Sequence, residues 1–300
     1  MTFTLGFDCS RWQDNNSTAQ QMNFTKSVAM GAKFVFIKSS QALWTDEDIL
    51  YNWKSAKQAG LLRGAYHFLD WVANPKAQAQ YAWSIIQNDP GELSPVVDFE
   101  YWQPPPANAF DKLWNYVVEM ERLSGKKPII YTGAFFWDAH GTDSDVWKNY
   151  PLWIASYTTQ AYMEYNVDKL TPWDKWHFWQ YTSSGEGLAF GAESLDLDMN
   201  WFSGSYEDLL AFSGSEITIP EPPPIIIEPP PTGVVLPELK VINKVNVRPT
   251  PSTTIKETRT RQIGETVKIK EIKVHAINNI WVRDEEGWSA LVYYSTLYMK

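Results

Sequence analysis

The stretch PVVDFE, residues 95–100, decides how the larger part of this chain can fold. Its first residues are apolar without interruption, which is typical of a strand that is covered on both faces of a parallel sheet. Asp98 and Glu100 stand at the end of that run, where α/β barrels carry their functional groups. The stretch therefore predicts a buried barrel strand that ends in two carboxyl groups.

Seven other apolar runs accompany this strand. They are TLGFD (4–8), FVFIK (34–38), GAYHF (64–68), PIIYT (128–132), PLWIAS (151–156), HFWQY (177–181) and SLDLD (194–198). The first five strands begin roughly 30 residues apart, the length of a strand–helix unit. The clearest helix is predicted for residues 108–123, with Trp114 on its apolar face and Gly125 as its stop. The pattern favours an α/β fold, an eight-stranded TIM-like β/α barrel. Strands and helices alternate regularly in its first half, and few helices fit in its second half.

A proline-rich stretch separates this region from a tail of different character. IPEPPPIIIEPPPTGVVLP, residues 219–237, favours an extended polyproline II spacer. Residues 238–300 alternate short β-rich runs with turns, which predicts a small all-β barrel. We therefore expect a barrel domain over residues 1–212, a linker over 213–237 and a small β domain over 238–300.

Composition and charge narrow the possible partners. The chain has a net charge of −9 and 15% aromatic residues, including 16 Trp. Most of the negative charge precedes the tail, which argues against nucleic acid as the main partner. The Trp content suits a carbohydrate enzyme, although a Trp-rich core would give the same figure. No apolar run approaches the roughly 20 residues of a membrane span. The first residues also lack the apolar core of a signal peptide, so synthesis in the cytosol is expected.

Four acidic residues are expected to surround one end of the barrel. Asp98 and Glu100 lie two residues apart on a strand, so both should project to the same side, into the barrel mouth. Asp8 and Asp198 close the first and last strands, which are neighbours in a closed barrel. Glycosidic cleavage needs a protonated acid and a second carboxylate, which this set could supply. Clustered carboxylates also suit a hard cation, but none of the four His has ligand spacing to them, so no metal or cofactor is predicted.

The order of the motifs resembles glycoside hydrolase family 25, the lysozymes of bacteria and their phages. The motifs are GFDCSRWQ (6–13), FVFIKSS (34–40), AGLLRGAYHF (59–68), PVVDFE (95–100), PIIYT (128–132), LWIASY (152–157), FWQYTSSG (178–185) and LDMNWFSG (197–204). The resemblance covers about residues 4–204. It implies a flattened, irregular β/α barrel that hydrolyses the β-1,4 bond from N-acetylmuramic acid to N-acetylglucosamine in peptidoglycan.

The resemblance also implies roles for individual residues. Glu100 corresponds to the general acid, Asp98 to its partner carboxylate, and Asp8 and Asp198 to two further acids of the cleft. The residues expected to line the sugar-binding groove are Tyr66, Tyr131, Trp153, Gln180 and Lys38. A Tyr or Trp on a barrel strand is also a common core residue, so a structural role is the alternative for the aromatic members.

Two positions depart from the family pattern. Cys9 replaces a small aliphatic residue, and as the neighbour of Asp8 it is expected to face the opposite side of the strand. SSQALWTD, residues 39–46, lacks the glycine usual after the strand that ends in Lys38. The family pattern therefore does not predict the shape of that loop.

The tail resembles bacterial Src-homology-3-like domains through NVRPTPST (246–253), GETVKI (264–269) and EEGWSALVYYSTLY (285–298). Such modules usually bind cell-wall peptide or sugar, so bacterial peptidoglycan is the expected partner. Two further hypotheses stay open: a chitinase-like hexosaminidase, whose barrel strand also ends in Asp-x-Glu, and a non-catalytic wall-binding protein. A phage or prophage endolysin and a bacterial autolysin, each acting on the wall after release from the cytosol, are both compatible with the sequence.

Overall fold

The computed structural model describes residues 2–15, 17–18, 20–100, 104–159, 171–214, 238–250, 256–276, 279–293, 296–297 and 299. The chain divides into two units, Met1–Thr218 and Ile219–Lys300. The predicted linker, residues 213–237, lies outside the described residues except at its first two positions. Ser213 is the last residue of a helix and Gly214 is its C-cap. The helix therefore continues one residue past the predicted end of the barrel domain at residue 212, and the domain boundaries themselves stay a prediction.

Nine strands form the sheet of the first unit in the part of the chain that the structure describes. They are β1 (Thr4–Cys9), β2 (Phe34–Gln41), β3 (Trp44–Thr45), β4 (Leu62–Phe68), β5 (Val96–Asp98), β6 (Ile129–Gly133), β7 (Leu152–Ala155), β8 (Phe178–Glu186) and β9 (Asp196–Phe202). Eight of them follow the order β1-β9-β8-β7-β6-β5-β4-β2, and β1 also pairs with β2, which closes the barrel. The short strand β3 pairs only with the end of β2. The predicted eight-stranded barrel in a mixed α/β fold is thus confirmed.

The direction of β9 corrects the sequence prediction. The sequence predicts a strand that ends at Asp198, whereas β9 begins at Asp196 and runs antiparallel to both β8 and β1. Residues 187–195 connect β8 to β9, and a parallel crossover needs a dozen or more residues. The short connection therefore reverses the chain. Because of that reversal, the start of β9 lies at the barrel end where the parallel strands finish, and Asp198 pairs directly with Asp8.

The described helices of this unit are α1 (Phe24–Ala29), α2 (Ile49–Gln58), α3 (Pro75–Ile86), α4 (Ala109–Ser124), α5 (Ala134–His140), α6 (Gly187–Phe190) and α7 (Tyr206–Ser213). Helix α4 confirms the predicted helix, and Gly125 ends it with a left-handed φ of 70°. The prediction for Trp114 is wrong: it is 40% exposed, while Leu113, Tyr116 and Val117 form the buried face. Among all the residues that the structure describes, no helix has both the length and the apolar character needed to cross a membrane.

Large aromatic side chains fill the barrel interior below its mouth. Phe34 and Phe36 of β2 point inward, and Phe36 stacks on Trp153 of β7 with 4.2 Å between ring centroids. Two glycines on the neighbouring strands make this possible. A Cβ at Gly6 or Gly64 would lie 2.5 Å from the ring of Phe34 or Phe36, respectively. The interior is therefore a packed floor, and polar groups can gather only above it.

Every regular element described in the second unit is a strand. The strands are β10 (Glu238–Lys240), β11 (Val245–Val247), β12 (Arg259–Arg261), β13 (Thr266–Lys268), β14 (Glu271–Ala276), β15 (Asn279–Arg283), β16 (Trp288–Tyr293) and β17 (Thr296–Leu297). Their core includes Val267, Trp281 and Trp288. The Arg261 guanidinium is buried and pairs with Asp284 at 2.8 Å. This unit thus has its own apolar core and its own buried ion pair.

Candidate active site

Asp98 and Glu100 reach the barrel mouth because the chain alternates sides at the end of β5. Phe99, which lies between them, is fully buried on the outer side, against Phe136 and Trp137. The carboxyl groups on either side of Phe99 are consequently directed inward. Each of them interacts electrostatically with other acids of the mouth: Asp98 with Glu100 and Asp8, and Glu100 with Asp198. The structure thus gathers the predicted acidic set.

Burial sets the protonation of this pair. Burial, followed by the charge of Glu100, raises the pKa of Asp98 well above its usual range. Burial, followed by the charge of Asp198, raises the pKa of Glu100 to about 7. The Oδ1 atom of Asp98 is buried and accepts no hydrogen bond from any described residue. The mouth therefore holds a proton near neutrality and one acceptor oxygen that lacks a donor.

Asp8 and Asp198 face each other across the β1–β9 pair. Asp8 Oδ2 accepts hydrogen bonds from Gln180 Nε2 and Asn200 Nδ2, both at 2.8 Å. Burial, together with the nearby charge of Asp198, raises the pKa of Asp8. Burial and the charge of Asp196 raise the pKa of Asp198 to about 6. Asp8 is thus held in a fixed orientation by two amide donors.

Lys38 supplies the positive charge of the mouth. Its Nζ donates to Gln41 Oε1 at 3.0 Å. Burial lowers the pKa of Lys38, while the carboxylate of Asp98 opposes that shift. In return, the Lys38 cation lowers the pKa of both Asp98 and Glu100. Lys38 therefore limits how far the acids of the pair are neutralised.

Gln180 connects the acids to the aromatic residues of the mouth. Its Oε1 accepts from the hydroxyl groups of Tyr131 and Tyr157, each at 3.0 Å, while its Nε2 donates to Asp8. Tyr157 and Asn200 are additional members of this network that were not predicted from the sequence. Tyr157 closes the motif LWIASY, and Asn200 follows Asp198 by two positions on β9, so both carried a usable signal. Gln180 thus fixes Asp8 through a network that reaches the exposed rim.

Trp153 and Tyr66 lie at different depths. Trp153 is 2% exposed, and its indole N–H donates to Asn200 Oδ1 at 2.8 Å. The Tyr131 ring lies 4.4 Å from Trp153, and Tyr66 is half-buried nearby, with 6.3 Å between its ring and Trp153. These contacts make Trp153 part of the floor beneath the polar groups. Contact between any of these side chains and sugar stays a prediction.

Cys9 and the loop after β2 are the two places where the sequence departs from the family pattern. Cys9 is buried in the cluster between the barrel and the helices, on the side of β1 opposite to Asp8. Burial raises the pKa of its thiol, which opposes thiolate formation. The loop is a tight hairpin in which β2 turns into β3 through Ala42 and Leu43. Ala42 adopts the left-handed φ of 48° that a glycine would favour.

Glycosidic cleavage requires an acid that can donate a proton and a second carboxyl group beside it, and Glu100 and Asp98 are two such groups. In the described residues, no group of three or more His, Cys, Asp or Glu side chains is arranged to hold a metal ion. The fold and the site define a barrel glycoside hydrolase. The chain belongs to glycosyl hydrolase family 25, whose family model matches residues 7–188.

The chain is similar to two curated proteins and to a solved muramidase structure. Lysozyme M1 of Streptomyces globisporus is 28% identical over 227 residues, which are 70% of this chain and 71% of that protein. The uncharacterized protein YegX of Escherichia coli K12 is 30% identical over 209 residues, which are 69% of this chain and 72% of YegX. The solved structure of a muramidase from Acremonium alcalophilum superposes with a TM-score of 0.56 at 28% identity. It covers 70% of this chain and 98% of the muramidase.

Proposed function

We propose that this barrel cleaves the β-1,4 bond from N-acetylmuramic acid to N-acetylglucosamine, with Glu100 as the general acid and Asp98 as its partner. The enzyme is a peptidoglycan hydrolase, a muramidase, as its family and its lysozyme and muramidase relatives support. The observation that carries the residue roles is the buried Asp98 Oδ1 without a donor, beside an acid whose pKa is about 7. An unsatisfied buried acceptor is costly, so a bound substrate that donates to it gains affinity.

The donor proposed for Asp98 is the N–H of the sugar's 2-acetamido group. Glu100 transfers its proton to the glycosidic oxygen as the bond from that oxygen to the anomeric carbon breaks. The acetamido carbonyl oxygen then bonds to the anomeric carbon, and Asp98 stabilises the positive ring that forms. A water molecule next attacks the anomeric carbon and gives a proton to the Glu100 carboxylate. The bond between the acetamido oxygen and the anomeric carbon breaks in this step, which restores the acetamido group. Two inversions at one carbon give net retention of configuration.

Substrate binding decides which member of the pair holds the proton. In the free enzyme, burial raises the pKa of both Asp98 and Glu100. A hydrogen bond donated to the Asp98 carboxylate favours its ionised form. The remaining proton is then held by Glu100, where the leaving oxygen needs it. Lys38, whose cation already lowers the pKa of Asp98, favours the same distribution.

The pH profile follows from these charges. Glu100 must be protonated to act, so kcat/KM is expected to fall as the pH rises through about 7. Because Asp198 raises the pKa of Glu100 and Lys38 lowers it, Asp198→Asn should move this limb to lower pH and Lys38→Met to higher pH. Initial rates on soluble glycan chains between pH 4 and pH 9 would measure the limb. Shifts of the same sign in both variants would contradict the assignment.

The polymer that the enzyme cleaves can be identified from the loss of turbidity of polymer suspensions. The purified enzyme is expected to clear a suspension of purified peptidoglycan and to leave chitin intact. Faster clearing of chitin would support a hexosaminidase of the chitinase type, and binding without any clearing would support a non-catalytic wall-binding protein. Mass spectrometry of the released fragments, which should end in N-acetylmuramic acid at the reducing end, identifies the bond.

The second unit is proposed to be a Src-homology-3-like module that holds the enzyme on the wall. Its separate core supports a division of labour between targeting and cleavage. We place the enzyme's work at the bacterial cell wall after synthesis in the cytosol and release, as in a phage or prophage endolysin or a bacterial autolysin. Peptidoglycan is its proposed partner.

Truncation tests that division. A chain that ends after Ser215 is expected to cleave short soluble glycan fragments at the full-length rate and to lose most of its activity on intact walls. The reason is that the second unit raises the local concentration of enzyme at the wall. Both substrates should be assayed on the same preparations. A loss of turnover on soluble fragments would show that the second unit is needed for the chemistry.

A further inference from the structure

Two exposed tryptophans lie at the mouth, in addition to the acidic residues and the predicted sugar-groove residues. Trp12 follows β1 and is 69% exposed, and Trp44 is the first residue of β3 and is 40% exposed. Since β1 and β2 pair side by side and both end at the mouth, the segments that follow them meet at one rim. Large exposed apolar faces are unusual on a protein surface and mark binding sites when they cluster.

Arg11 joins the two rings into one surface. The centre of its guanidinium lies 4.8 Å from the Trp12 ring and 5.6 Å from the Trp44 ring. Leu43, in the hairpin turn next to Trp44, is 52% exposed and extends the same apolar surface. We call Arg11, Trp12 and Trp44 the rim platform. The guanidinium lies within cation–π distance of both indoles and so links the two exposed tryptophans.

The rim platform is held rigidly by its own backbone. Ser10 and Gln13 form a capping box around the short turn that carries Trp12. Asp46 is buried, and its carboxylate accepts from the backbone N–H of Arg11 at 3.2 Å, which ties the β1 segment to the hairpin. Glu47 pairs with the Arg11 guanidinium at 2.8 Å. A surface fixed before binding loses little conformational entropy when a ligand stacks on it.

The rim platform continues into the catalytic mouth. The Nζ of Lys38 lies 5.4 Å from the Trp44 ring, and the same cation acts on Asp98 and Glu100. One side chain therefore separates the platform from the catalytic pair. A polymer that occupies the mouth extends beyond it in both directions, and on this side it meets flat aromatic faces.

We propose that the rim platform binds a further sugar ring of the same glycan strand, beyond the two sugars joined at the cleaved bond. This proposal rests on the proposed function. The weakly positive C–H face of a pyranose matches the negative face of an indole ring. The Arg11 N–H groups, which cannot lose their charge, donate to sugar hydroxyl groups at the edge of the platform. The platform makes the enzyme favour long strands over short fragments.

The test uses the full-length enzyme and peptide-free glycan chains of four to twelve sugars. Trp12→Ala and Trp44→Ala are expected to raise KM about fivefold to tenfold above a threshold chain length. Below that length KM should match the wild type, and kcat should be unchanged at every length, because the platform touches no reacting atom. Trp12→Phe keeps a flat face and should restore most of the affinity.

Trp114→Ala is the matched control, since Trp114 is 40% exposed like Trp44 but lies on helix α4. It should leave the dependence on chain length intact. Wild-type KM in both platform variants at all lengths would overturn the proposal, and so would an equal rise at all lengths. A defect seen only with peptide-bearing chains would assign the platform to the stem peptide and overturn it as well. If the wild type cleaves none of the chains, the proposed function itself fails.

Discussion

A folded Glu100→Gln enzyme is expected to cleave peptidoglycan about 10²–10⁴ times more slowly than the wild type, the usual weight of general acid catalysis. The amide keeps the size of the side chain and removes the proton. In the wild type that proton is retained near neutrality because burial and the charge of Asp198 raise the pKa of Glu100 to about 7. Rates on soluble chains and on walls should fall together, since the step that is lost is chemical.

Glu207→Gln provides the control for this change, because Glu207 is an exposed acid on helix α7, outside the mouth. It should behave like the wild type. Binding of glycan chains to Glu100→Gln, followed by tryptophan fluorescence, should persist and show that the site is intact. Wall lysis by folded Glu100→Gln at a rate near that of the wild type would remove Glu100 from the role of general acid.

The barrel was predictable because most of its strands begin as apolar runs of their own. PVVDFE and FVFIK are recognised without knowledge of their neighbours, and β5 and β2 form there. The direction of β9 was not predicted, because a strand's direction is set by the length of the connection before it. Trp114 was placed on the wrong face, since α4 buries the ring of Tyr116 instead.

The candidate site was partly predictable for a similar reason. The carboxyl groups of Asp98 and Glu100 follow directly from alternation along one strand. Tyr157 and Asn200 were not predicted, although both stand in quoted motifs, because a motif does not show which of its residues contact Gln180 and Asp8 across the strands. The rim platform depends on a hairpin whose turn uses Ala42 at a left-handed φ. That conformation is rare for alanine, so the sequence gives no sign of it.

Asp98→Asn should reduce the rate about 10²–10³-fold, the range found when one preorganised electrostatic partner of a transition state is removed. The substitution keeps the shape of the side chain and removes the negative charge that stabilises the positive ring. Asp98 is buried, so water cannot replace that charge. Asp111→Asn, on the exposed first turn of α4, is the matched control and should have no effect.

The partner of Asp98 can be identified with a second substrate. If Asp98 acts through the acetamido group, then glycan chains without N-acetyl groups should already be slow, and Asp98→Asn should cost little more on them. Such a lack of additivity is what two groups acting in one interaction produce. NMR of the first product released should show retained configuration at the anomeric carbon. A full additional loss on the de-N-acetylated chains, an inverted first product, or a covalent glycosyl adduct on Asp98 would each replace this mechanism with another.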